Sequence, residues 1–258
     1  MTLLRSPRHR PDDLVYWEQV EEVDRVNGRR LASSGREDKA CAEVRAFAQA
    51  GPCYASVSWG KDSTVLAHLA WRVTQEGTPV PLVHFKQEWW SNPDCDLVRD
   101  AFLAAHPGLQ YDEIVMRYDY AREVHEHRSL YLEDAYREAA KLHGWRYITG
   151  LRGDESRARR LRMKGHGLST IKTCAPIGWW SASEVYAYLA HHGLPVHPAY
   201  ACSLGGLLDR DQLRVDGLGE IRGEERGRRE WERAYYGVEL RAIEARDKRE
   251  RGCDGVER

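Results

Sequence analysis

Hydrophobic and polar positions along the chain alternate between two periods. Short apolar runs at Tyr54–Ser58, Val80–Phe85, Tyr111–Arg117 and Trp145–Thr149 read as strands. Between them lie segments with apolar residues three and four apart, the helical period. Ser63–Gln75 places Val65, Leu66, Leu69, Ala70 and Val73 on one face, and Asp94–Ala105 and Ser129–His143 follow the same pattern. The punctuation agrees: Gly77 to Pro79 ends one helix, His106 to Gly108 the next, and Gly144 the third. Ser181 with Glu184 three residues on is a capping box, and it opens a helix through His192 that Gly193 and Pro195 close. Strands alternating with helices of this length predict an α/β fold with a doubly wound, mostly parallel sheet, Rossmann-like, covered on both faces.

Outside that alternation the pattern is weaker. Asp12 to Val26 reads as a helix turning Leu14, Val15, Trp17, Val20 and Val23 towards the body. Asn27 to Asp38 reads as a loop, and Lys39 to Ala50 as a helix ending at Gly51-Pro52. From Gly219 the chain is rich in charge, with Glu230–Arg249 a solvated helix docked through Trp231, Tyr235 and Leu240. The expected organisation is an N-terminal helical extension over 1–50, an α/β domain over 51–200 and a charged C-terminal extension over 201–258.

Composition narrows the function classes. Among 258 residues, 39 Lys and Arg face 40 Asp and Glu, for a net charge of -1, so a globally basic nucleic-acid binder is not indicated. No stretch has the length of a membrane span or the form of a signal peptide, so a cytoplasmic, non-membrane protein is expected. The six cysteines, Cys41, Cys53, Cys95, Cys174, Cys202 and Cys253, include no Cys-x-x-Cys pair, and their spacing predicts neither a zinc ribbon nor an iron–sulfur cluster. His191, His192, His197 and Cys202 match no common metal spacing and are not taken as a site.

The chemistry concentrates where the first strand turns into its helix, at Ser58-Trp59-Gly60-Lys61-Asp62-Ser63-Thr64. In a parallel sheet, ligands bind beyond the carboxyl ends of the strands. There the helix N-terminus offers N–H groups and a favourable dipole to an anion. Gly60 permits close approach and Lys61 adds a full charge. Ser63 and Thr64 supply hydroxyls, while Asp62 caps the helix or stands near a bound Mg2+. This is not a Walker A loop, because Ala55 and Asp62 occupy the places of its first glycine and its hydroxyl residue.

The stretch resembles the PP-loop, Ser-Gly-Gly-x-Asp-Ser, of the adenine nucleotide α-hydrolase superfamily, with Trp59 where that motif has glycine. Two further motifs resemble the phosphoadenosine phosphosulfate (PAPS) reductase family within it. They are Thr149-Gly150-Leu151-Arg152-Gly153-Asp154-Glu155-Ser156 with Arg157, and Ala175-Pro176-Ile177-Gly178-Trp179-Trp180-Ser181 with the following helix and Leu194-Pro195. The resemblance implies an enzyme that takes ATP with Mg2+, its nucleotide held by Ser58 to Thr64. Lys61, Asp62, Arg152, Glu155 and Arg157 would serve the reaction, with Asp62 the candidate Mg2+ ligand. Glu155 could orient Arg152, share in holding Mg2+, or simply pair with Arg157.

The paired cysteines that cluster-binding reductases carry after Leu-Pro, and the reductases' C-terminal cysteine tail, have no counterpart here; Cys253 lies in a different, charged setting. That favours an ATP pyrophosphatase that adenylates an acceptor so that sulfur can enter, with the DNA phosphorothioation proteins as the nearest functional model. The alternatives are a PAPS or APS reductase using a displaced thiol such as Cys253, and a nucleotide-binding regulatory subunit. Cys174 and Cys202 are candidate sulfur carriers or ordinary buried residues. A cysteine desulfurase would be the sulfur-donating partner. The basic run from Arg157 to Lys164 is either a guide for nucleic acid or a solvated loop. Trp89 or Trp90 would stack on adenine or pack a neighbouring helix.

Overall fold

The structure, a computed structural model, describes residues 2–117, 130–213, 215–219 and 228–253. A five-stranded parallel sheet forms from β2 (Cys53–Val57), β3 (Leu82–Gln87), β4 (Tyr111–Met116), β5 (Arg146–Thr149) and β6 (Thr173–Cys174). Its order is β4-β3-β2-β5-β6. The chain therefore builds outward from β2 to β4, then crosses back to place β5 on the other side of β2. The crossovers include α3 (Lys61–Gln75), α4 (Asp94–Ala105), α5 (Leu130–His143) and α6 (Arg157–His166). Ser129, the expected start of α5, lies outside the described residues.

Period-two alternation in β2 divides the core. Cys53, Ala55 and Val57 join a large cluster with α3, while Tyr54 points the other way, to Val83, Ile114, Met116 and the α5 residues Ala135 and Ala139. α3 is buried almost all round over its first ten residues, not along one face. The cause is a further layer: α2 (Arg36–Gln49) and α7 (Ala182–His191) pack on its outer side, and α1 (Pro11–Ala32) packs on α7. The N-terminal and C-terminal segments thus contribute to the same core as the sheet, through Trp17, Leu31, Trp231 and Tyr236. A two-stranded parallel pair, β1 (Thr2–Leu3) with β7 (Pro195–Val196), ties the first residues to the exit of α7. α8 (Arg228–Cys253) closes the fold.

Two expectations about the N-terminal segment do not hold. The residues expected to form a loop at 27–38 are mostly helical: α1 runs on to Ala32 and α2 begins at Arg36. Gly28 sits inside α1 because α7 passes so close that a Cβ there would meet the Ala187 carbonyl oxygen at 2.7 Å. The buried face of α1 carries Asp13, Trp17, Asp24, Gly28 and Leu31, whereas Val15 and Val23 are exposed. The aspartates face inward because each has partners there. Asp13 Oδ1 accepts from the backbone N–H groups of Ser203 and Gly205, and both its oxygens accept from Tyr235 Oη. Asp24 takes both guanidinium arms of Arg210 at 2.7 and 2.8 Å. The basic run expected as a guide or a solvated loop is α6, a helix capped by the Ser156 side chain.

Burial also sets a pH dependence. His197 is 1% exposed; its Nδ1 accepts from the Ala199 N–H and its Nε2 faces Cys95 Sγ at 3.5 Å. Burial pushes its pKa down to about 3, against about 6.5 in an unfolded chain. Above pH 6.5 both states are neutral and nothing is gained or lost. Between about 6.5 and 3 the unfolded chain binds a proton that the folded chain refuses, so stability falls as pH falls, by up to about 1.4 kcal/mol per unit from this group. Urea unfolding at pH 7.5 and 5.5 should show the wild-type chain losing more stability than His197→Gln between the two. Equal losses would mean that the imidazole is solvated or charged in the fold.

Candidate nucleotide site

The reversal of strand order places the carboxyl ends of β2 and β5 side by side, and a cleft of about 1070 Å³ opens there. One wall is the loop Ser58 to Gly60 with the first turn of α3, and a second is the loop after β5, from Thr149 to Glu155. The third is a segment after α7 carrying Tyr200, Asp209, Asp211 and Asp216. Gly150 lets the first two walls touch: a Cβ there would stand 3.1 Å from the Asp62 carbonyl carbon and oxygen.

Gly60 is the N-cap of α3, in extended conformation. Its carbonyl accepts from both Ser63 Oγ and Thr64 Oγ1 at 3.0 Å, so the two hydroxyls brace the loop in this structure. Lys61 is 5% exposed. Its ammonium lies over the rings of Tyr200 and Tyr186 at 5.1 and 5.9 Å, donates to the Asp211 carbonyl at 3.3 Å, and stands 3.5 Å from Asp62 Oδ2. Its backbone N–H donates to Tyr200 Oη at 3.0 Å, so a phenol oxygen occupies one amide that an anion would seek at this helix end.

Arg152, 2% exposed, crosses from the second wall to the first: its Nε donates to Asp62 Oδ1 at 2.6 Å and its Nη1 to the Trp180 carbonyl at 3.4 Å. Glu155 accepts from the Arg152 backbone N–H at 2.8 Å and pairs with Arg159. Asp62 is therefore held between two cations, Lys61 and Arg152, and both of its oxygens are engaged. Asp209 and Asp211 supply further carboxylates to the cleft, and desolvation, with Asp209 beside it, raises the pKa of Asp211.

Ser58, Gly60, Lys61, Asp62, Ser63, Arg152 and Glu155 line this one cleft, and Thr64 sits one turn deeper. Other candidates lie elsewhere. Trp59 adopts the left-handed conformation, φ 61°, which favours glycine. For a side chain this costs about 1–2 kcal/mol. The fully buried indole offsets that cost, tilted against Phe102 and Tyr111 and edge-on to His84 on the core side of the loop, away from the cleft. Arg157 is exposed at the start of α6, and Arg159 takes the place at the cleft. Trp89 does not line the cleft; Arg246 stacks on it at 3.7 Å and Trp90 lies beside it. Cys174 and Cys202 are fully buried and outside the cleft lining. Burial pushes the Cys174 thiol up to about 12 and the Cys202 thiol higher still, so neither has the exposed thiolate that sulfur carriage needs. The Cys253 side chain lies outside the described residues.

Tyr200, Tyr186, Asp209 and Asp211 escaped the sequence reading as site residues. Tyr200 adjoins the Leu-Pro exit and offered a weak signal through its position; the two aspartates lie in a segment with no periodicity. The wall that carries them is pinned by Arg210, whose guanidinium stacks on Tyr186 at 3.9 Å while gripping Asp24.

The strand order, the cleft at its switch point and the Gly-Lys helix start define a parallel α/β domain with its candidate site at the carboxyl ends of the strands. The phosphoadenosine phosphosulfate reductase domain matches residues 52–206, and the chain belongs to that family. Among solved structures it is similar to a phosphoadenylyl-sulfate (PAPS) reductase from Candida auris in complex with phosphate, with 16% identity and a TM-score of 0.48, covering 75% of this chain and 95% of that one. It is also similar to a U34-tRNA thiolase from Methanococcus maripaludis bearing a [4Fe-4S] cluster, with 13% identity and a TM-score of 0.41, covering 76% and 72%. No curated protein matches. Among the described residues, no helix is long and apolar enough to cross a membrane.

Proposed function

We propose that the chain is an ATP pyrophosphatase that adenylates an acceptor, so that sulfur can then displace AMP. The acceptor's nucleophile attacks the α-phosphorus, the bond to the β-phosphate bridging oxygen breaks, and pyrophosphate leaves with the electron pair. Lys61 and the N-terminus of α3 would stabilise the charge that builds on the pyrophosphate. For that, the Lys61 N–H must exchange Tyr200 Oη for a phosphate oxygen. Arg152 would keep Asp62 and the two loops in register. Asp62, Asp209 and Asp211 line the cleft with carboxylate oxygens of the kind Mg2+ takes, and these would hold the ion that neutralises polyphosphate charge.

The observation that carries this reading is a cleft with a buried lysine at a helix N-terminus and several carboxylates, and with no cysteine among its described lining residues. A reductase needs a thiol at the reacting sulfur; an adenylating enzyme needs only phosphate and metal ligands. DNA phosphorothioation is the nearest functional model, with a nucleic-acid acceptor guided by the Arg157–Lys164 face of α6 and sulfur delivered by a partner such as a cysteine desulfurase. Calorimetric titration of the full chain with ATP·Mg2+, and separately with PAPS, tests the proposal. Binding of ATP·Mg2+ with PAPS ignored supports it; preference for PAPS overturns it.

A further inference from the structure

We propose that Glu37, His191 and His192 form a zinc site that staples α2 to the end of α7. Glu37 is remote in sequence from the adjacent His191 and His192, yet the ligand atoms of all three lie within 4.8 Å of one another. In a tetrahedral zinc site with bonds of 2.0–2.1 Å, ligand atoms stand about 3.3 Å apart, so small side-chain rotations suffice. Consecutive helical residues normally diverge by about a quarter turn. His192 escapes this because it lies one residue beyond the last helical position, with φ -91° and ψ 4°, and the two rings stand 4.8 Å apart.

A second observation points to a ligand. Glu37 is 8% exposed, and its Oε1 is buried without a hydrogen-bond partner. A carboxylate oxygen left so carries the full desolvation penalty. The other oxygen, Oε2, is occupied: it accepts from Arg72 at 3.3 Å and faces His192 Nε2 at 2.9 Å. Asp38 lies 3.7 Å from the same Arg72 guanidinium.

Two imidazoles and a carboxylate are a donor set that zinc takes readily, with water as the fourth ligand. The staple sits on the outer helical layer: Arg72 lies eleven residues along α3 from Lys61, on the order of 16 Å at 1.5 Å per residue. It would act on that layer's stability, apart from the cleft's chemistry.

The test is calorimetric titration of the EDTA-treated full chain with ZnCl2. One equivalent should bind and raise the thermal midpoint. His191→Ala, at an exposed position where folding is not at risk, and Glu37→Gln should each weaken binding at least tenfold, while His166→Ala, exposed on α6, should leave it unchanged. Absence of stoichiometric binding overturns the site, as does binding that survives His191→Ala and Glu37→Gln.

Discussion

Replacing Lys61 with Met is expected to lower pyrophosphate release from ATP by about 10²–10³-fold, the usual effect of removing one preorganised donor from developing negative charge. The expectation rests on where the ammonium sits. It is 5% exposed, set between two tyrosine rings at the end of α3, so water and salt screen it weakly. Its loss should not unravel the loop, because Asp62 keeps Arg152 at 2.6 Å and Gly60 keeps both hydroxyl braces. The thermal midpoint should therefore move little while turnover collapses. Wild-type turnover in Lys61→Met would show that the charge is structural and that the polyphosphate seat lies elsewhere in the cleft.

The largest expected effect on stability is at Arg210. Its guanidinium grips Asp24 with two bonds, and the Asp24 side chain is only 2% exposed. Removing one partner from such a buried pair leaves the other charge stranded, which typically costs about 3–5 kcal/mol. Arg210→Ala should show a loss of that order in urea unfolding. Arg210→Lys should recover only part, since a lysine cannot reproduce the planar fork or its stacking on Tyr186. The double change Arg210→Met with Asp24→Leu should return most of the stability, because no unpaired charge remains. ATP affinity should fall in Arg210→Ala as well, since Arg210 anchors the segment that brings Asp209 and Asp211 to the cleft. A loss below about 1 kcal/mol would mean that water reaches the pair and that this wall is held by something else.

These two residues differ in how far the sequence announces them. Lys61 stands in a local pattern of strand, glycine, lysine and amphipathic helix, in which every element is set by neighbours a few residues away. The strand–helix alternation was legible for the same reason: α4 begins and ends where its periodicity and the following His106 to Gly108 place it. Arg152 and Glu155 were legible through their motif, although their partners were not. The Arg152 side chain turned out to hold Asp62, and Glu155 to accept from the Arg152 backbone.

Arg210 gave no local signal, and neither did Tyr200 or Asp211. Their roles come from contacts 139 to 186 residues apart, which no period in the sequence records. The same distance misled the reading of α1. Valines at Val15 and Val23 suggested a buried stripe, yet the aspartates Asp13 and Asp24 turn inward because backbone N–H groups, Tyr235 and Arg210 wait for them. Trp59 inverts expectation in another way: a left-handed residue between a strand and its helix reads as glycine's place, and the room beside Phe102 and Tyr111 explains an indole there. The sequence by itself determined the parallel α/β plan and the loop at the end of β2, because hydrophobic period and turn residues act over a few positions. Tertiary structure decided which polar side chains are buried, which wall completes the cleft and which cysteines are withdrawn from it, because burial and charge pairing depend on partners that only the folded chain brings within reach.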